Sequence, residues 1–163
     1  PMSIAICVKQ SIFAFTKRNA MEKLTQHNYW TIIATGLIAF VLSGFWYSPM
    51  VFGEIWETYR NPPNPEIPKW TMAFAPLREL IVAYVLAKLI LLLNLSQYKD
   101  TLKLVFLLWI SFHAVGMVGA ILWDHMQWQL GAVHAGDWLM KMTFMGIVLT
   151  KWLNKKSISL KNQ

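Results

Sequence analysis

From Leu24 to Gly53 the chain runs without a single Asp, Glu, Lys or Arg, and from Leu104 to Trp123 it does so again. A helix needs about 20 apolar residues to cross the hydrocarbon core of a bilayer, so each run is long enough alone. A soluble surface helix would need a polar face, and neither run offers one. Apolar residues reach 56 % and charged residues only 14 %, against about 45–50 % and 25 % in ordinary soluble domains. Because the apolar residues are clustered rather than spread, the excess points to a bilayer rather than a greasy soluble core. The expected fold is therefore all-α, a polytopic membrane bundle of four transmembrane helices, with spans at about 30–49, 70–95, 104–123 and 136–153. A short interfacial helix is expected after the first span.

The formal net charge of +7 does not mark a nucleic-acid partner, because the basic residues sit in short flanks beside the apolar runs and leave no basic helix face. Lys9, Lys17, Arg18 and Lys23 precede the first span. Lys99 and Lys103 lie between the second and third, and Lys151, Lys155, Lys156 and Lys161 end the chain. The other two connections carry only Arg60 and Lys69. That asymmetry places both termini and the middle loop in the cytoplasm, consistent with an even number of spans. Cys7 is the only cysteine, which excludes an internal disulfide and a thiolate metal site.

Residues 1–20 read as an N-terminal extension, either an amphipathic surface helix built on Ile4, Cys7, Val8, Ile12 and Phe15 or a segment upstream of a start at Met21. Residues 21–154 form the transmembrane domain, and 155–163 a basic cytoplasmic tail. In the first span Thr35, Ala39 and Ser43 recur at every fourth position, with Gly36 and Gly44 beside them. Small residues at that spacing let helices approach closely in lipid, so this stripe is expected to face another helix. Gly116 and Ala120 form a second such pair. The prolines at 62, 63, 65 and 68 rule out regular helix between the first two spans.

The first span closes on Gly44-Phe45-Trp46-Tyr47-Ser48-Pro49, followed by Phe52-Gly53 and Trp56. Trp and Tyr suit the membrane–water boundary, and Pro49 biases Ser48 away from helix. This segment resembles the signature of the domain of unknown function 1761 family, small and mostly bacterial four-helix integral membrane proteins. Looser agreement continues through Ala83 to Ala87, Leu108-Trp109, Phe112 and Met145-Gly146, so the resemblance covers about Asn28 to Trp152. The proline-rich connector departs from the pattern. The resemblance implies a multi-pass protein of the bacterial cytoplasmic membrane, and it implies no activity.

Two groups of residues carry chemistry. His113, Glu79 and Arg78 fall within spans, where an ionisable group is a functional-site hypothesis by default. His113 is expected to point into the bundle towards the second span, with Glu79 or Arg78 as its partner, acting as a relay or as a packing hydrogen bond. Arg78 and Glu79 are adjacent and about 100° apart around a helix, so each is expected to find its partner elsewhere. Asp124, His125, His134 and Asp137 form the second group. They lack a tight ligand motif and read as polar caps at helix ends, with divalent-metal binding as the alternative. Asp137 and Lys141, four apart, are expected to pair on one helix face. No cofactor fingerprint is present, and none is expected to be bound.

The leading functional reading is a non-enzymatic, multi-pass integral membrane protein whose partners are the lipid bilayer and, in some form, further copies of itself. A small solute or proton transporter or channel acting as an oligomer is the first alternative. A metal- or haem-dependent membrane oxidoreductase is the second.

Overall fold

The computed structural model describes residues 26–60, 68, 70 and 73–159, all helix, turn or irregular structure with no strand among them. The N-terminal extension and residues 61–67 of the proline-rich connector lie outside the described residues, as do 160–163 of the tail. Helix α1 spans Gln26–Trp46, α2 Gly53–Tyr59 and α3 Phe74–Leu92. A third long helix follows as α4, Tyr98–Leu108, then six residues wound as π-helix, Trp109–Ala114, then α5, Val115–Trp123. Helix α6 runs from Trp128 to Ser159.

Helix α6 is the centre of the fold. It packs on α1, on α3 and along the whole third helix, while α1 packs on α3. The third helix makes at most slight contact with α1 or α3. The seam between α3 and the third helix is therefore open. The buried core follows from this arrangement. It comprises Ile32 and Ala39 of α1, Ala83, Leu86, Ala87 and Ile90 of α3, Val105 of α4, and Met142, Met145, Leu149 and Leu153 of α6.

The small stripe of α1 is buried as expected, with Thr35 1 %, Ala39 0 % and Ser43 7 % exposed. Beside it, a Cβ at Gly36 would lie 2.9 Å from the Leu80 side chain and 3.1 Å from Leu80 Cα. That is the close backbone approach small residues permit. The second pair behaves differently, because Gly116 has nothing within 4 Å of where its Cβ would be. At Gly116 the third helix therefore makes no close approach to another helix among the described residues.

Three boundaries differ from expectation. The fourth helix begins at Trp128 rather than near Gly136. Gly131 and Gly136 do not break it, because each sits under a neighbour: a Cβ there would come within 2.9 Å of Ile121 and 2.8 Å of Trp46, respectively. Asp137 is consequently more than two turns inside the helix, not at the N-terminus where the dipole would favour it. The second helix stops at Leu92, where Asn94 adopts φ 52°, a left-handed conformation that Asn tolerates at a helix end. The third begins at Tyr98, so Lys99 and Lys103 lie on it.

Two helices are long and apolar enough to cross a membrane, Tyr29–Trp46 and Tyr98–Trp123. Only 28 % and 6 % of their most apolar stretches are buried in the fold, whereas the core helix of a water-soluble protein would be mostly covered. Helices α3 and α6 have the length but carry Arg78, Glu79 and Lys88, and Asp137, Lys141 and Lys151.

Candidate functional site

The motif after α1 builds a rigid corner. Helix α1 ends as Ser48 N–H donates to the Phe45 carbonyl, and Gly53 N–H folds back to the Ser48 carbonyl at 2.9 Å. Gly53 is required there. A Cβ would sit 2.6 Å from Ser48 C and 2.8 Å from the Tyr47 carbonyl oxygen, both main-chain atoms that cannot swing away. The corner turns its aromatic residues onto α6. The Trp46 indole donates to the Val133 carbonyl at 3.1 Å, and the Tyr47 hydroxyl meets His134 Nδ1 at 2.6 Å. Phe52 lies against Trp46, and Trp56 stands edge-on to Tyr47 with Arg60 over its ring. Of the two motif glycines, Gly44 has open space where its Cβ would be, and no contact among the described residues explains it.

Inside the bundle, between α3 and α6 and beside the middle of α1, lies a buried ion cluster. Lys141 Nζ stands 2.8 Å from Glu79 Oε1 and 2.8 Å from Asp137 Oδ2. All three residues are 0–1 % exposed. Arg78 closes the set from the side, its Nη2 2.6 Å and its Nε 3.1 Å from the same Glu79 oxygen. Arg78 and Glu79 thus pair directly, contrary to the expectation from their adjacency. The reason is reach. Lys141 fixes the Glu79 carboxylate, and a long guanidinium can bend around the helix to meet it. The Asp137–Lys141 pair forms as its spacing predicts, but in the interior. Taken together, two acids face two bases, and the set is balanced.

The balance in charge is not a balance in hydrogen bonds. Glu79 Oε2 and Asp137 Oδ1 are buried and have no partner among the described residues. Buried polar atoms are normally bonded, and an orphan of this kind points to an exchangeable proton, an ion or a water.

His113 sits on the π-helical turn, a distortion that often marks functional positions. Its imidazole lies against the Trp138 ring, centroids 4.9 Å apart and planes 32° apart. Its Nε2 is buried with no partner among the described residues. Hence His113 does face the interior on the α3 side, but neither Glu79 nor Arg78 bonds it. Trp138 intervenes, with Lys141 Nζ 4.8 Å and Arg78 Cζ 5.3 Å from its ring centroid. Trp109 locks the same turn, its indole donating to the Ala135 carbonyl at 2.8 Å.

The residues read as a possible outer metal group do not assemble. Asp124 and His125 are exposed in the turn after α5, with His125 at φ 56°. His134 and Asp137 lie within the bundle and are engaged by Tyr47 and Lys141. Among the described residues, no three His, Cys, Asp or Glu side chains come together as a metal would need. The residue that the sequence-based site omits is Lys141. Its signal was present, a lysine set in an apolar run with an acid four positions before it, but that pair alone suited a helix end equally well.

No curated protein and no solved structure matches this chain. The model of one family, described as protein of unknown function (DUF1761), matches residues 30–150. That span contains the corner, the ion cluster and the π-helical turn together, and the chain belongs to the DUF1761 family.

Proposed function

We propose that this chain is a non-enzymatic integral membrane protein of four spans, α1, α3, the third helix and α6, that carries a small solute together with a proton. The bilayer reading is supported by the outer surface, where Val41, Phe45, Ile81, Val85, Leu107, Phe112, Val115 and Leu122 all stand exposed. An apolar surface of that extent marks a lipid or protein contact. Helices α3 and α6 fit the same reading because Glu79, Asp137 and Lys141 are turned inwards, away from lipid. Residues 21–154 are the membrane domain in this reading, with both termini in the cytoplasm of a bacterial cell, and the basic flanks support that orientation.

The observation that carries the transport reading is the buried lysine held between two carboxylates that each keep one unbonded oxygen. For stability alone, well-packed apolar residues serve as well as or better than a buried ion set. Orphan carboxylate oxygens are places where a proton can come and go. A continuous channel is not what the packing favours. Beyond Lys141 the interior closes over Leu86, Ile90, Met145, Leu149 and Leu153, about 18 Å along α6. The interior is thus closed on that side of the cluster, and the half-exposed Arg78 is the member of the set that reaches the surface. Assembly into oligomers, with Gly116 of the third helix at the contact, belongs to this reading.

The test is the internal pH of dye-loaded proteoliposomes under an imposed pH gradient, alone and with short-chain acids, amino acids or amines outside. Faster proton movement than in protein-free liposomes is expected in at least one condition, with loss in Asp137→Asn. Wild-type protein that stays helical yet matches empty liposomes in every condition overturns transport and leaves the cluster as a structural clamp.

A further inference from the structure

The open seam between α3 and the third helix holds a cavity of about 370 Å³, within the roughly 300–1,000 Å³ range of ligand sites. On one wall Ile81, Val85 and Leu89 recur every fourth residue as one stripe along α3. Phe112 stands on the other wall, and Trp138 and Met142 of α6 form the floor. Arg78 lies one turn above Ile81 on the same helix, and its guanidinium sits over the Trp138 floor. From Arg78 to Leu89 is about 16 Å along α3, of which the cavity wall takes up the part from Ile81 on.

We propose that this groove binds a single-chain amphiphile with an anionic head, of the fatty-acid class, its carboxylate on Arg78 and its chain running down α3 towards Leu89. The inference rests on the transport reading and names its substrate class. Three features select this occupant. The trough is lined by apolar side chains with His113 as its one polar member, which suits an extended alkyl chain. The head position is cationic and accessible, since the Arg78 side chain is 49 % exposed. A guanidinium offers five donors in a fork suited to carboxylates, and the bonds to Glu79 use two. The charge arithmetic then links binding to the cluster. Arg78 and Lys141 balance Glu79 and Asp137, so one added carboxylate leaves the site one negative charge in excess. One proton on a Glu79 or Asp137 oxygen restores neutrality, so anion and proton enter together.

Trp138 on the groove floor makes binding observable. Protein in nanodiscs of neutral phosphatidylcholine is titrated with brominated dodecanoic acid or brominated dodecanol, and Trp138→Phe isolates the quenching of that one residue. We expect saturable quenching by the acid, at least tenfold tighter than by the alcohol. Arg78→Gln should abolish that preference while Arg78→Lys retains most of it, and Val85→Phe, which fills the groove without adding a fluorophore of this kind, should weaken quenching by both. Equal affinity for acid and alcohol means the groove takes any chain, including those of the bilayer, and overturns the proposal. Absence of saturable Trp138 quenching overturns it as well. Binding without proton movement would refute carriage and keep this site; proton movement without binding would do the reverse.

Discussion

Among the described residues, replacing Lys141 with Met removes the only cation within ion-pair distance of Asp137 and one of two beside Glu79. The lysine and both carboxylates are sealed from solvent, so water does not compensate the loss. Removing one partner of a buried pair costs about 3–5 kcal/mol, because the charge left behind is unpaired. The upper half of that range is expected here, since Asp137 has no alternative while Glu79 retains Arg78. The companion variant is Lys141→Met with Asp137→Asn, which deletes both charges and leaves the Glu79–Arg78 pair. A buried amide with unmade bonds still costs about 1–3 kcal/mol, so the double variant should recover about 1–4 kcal/mol of the single variant's loss. Unfolding in mixed micelles by increasing SDS fraction, followed by far-ultraviolet circular dichroism, measures both. A double variant no more stable than Lys141→Met would show that the loss comes from packing. The electrostatic account of the cluster would then be wrong.

Glycine substitutions separate contact from open space. Gly136→Ala should destabilise by about 1–3 kcal/mol through overpacking against Trp46, and Gly53→Ala by more, because main-chain atoms block the new Cβ. Gly44→Ala and Gly116→Ala should be neutral or gain about 0.5–1 kcal/mol as helix-interior replacements; in the same SDS titration, a large loss at either would place it at a contact between chains. Tyr47→Phe removes the hydroxyl from His134 Nδ1 and should cost about 0.5–1.5 kcal/mol, read as a lower midpoint with unchanged helix content. Reporter fusions after Lys23, Asn64, Lys99, His125 and Asn154 should alternate in side, and a cytoplasmic reporter at Asn64 would refute the four-span topology.

The helical class and the two strongest apolar helices were legible because period and charge are local properties. So was the α1 stripe of Thr35, Ala39 and Ser43, whose small size at every fourth position has only one evident use in a bilayer. The Asp137–Lys141 pair was legible for the same reason, being four residues apart on one helix. The family signature at Trp46 to Trp56 was visible as a string of residues. Its purpose, carrying Trp46 and Tyr47 onto Val133 and His134, depends on contacts 87 residues apart. Tertiary structure alone decided the rest. It brought Glu79 of α3 within 2.8 Å of Lys141, 62 residues away, and so let Arg78 pair with its own neighbour. It also set Trp138 between His113 and the ions. Ion pairing acts through space, and a sequence states only which charges exist. Which of them share a site is settled when α3 and the third helix take their places around α6.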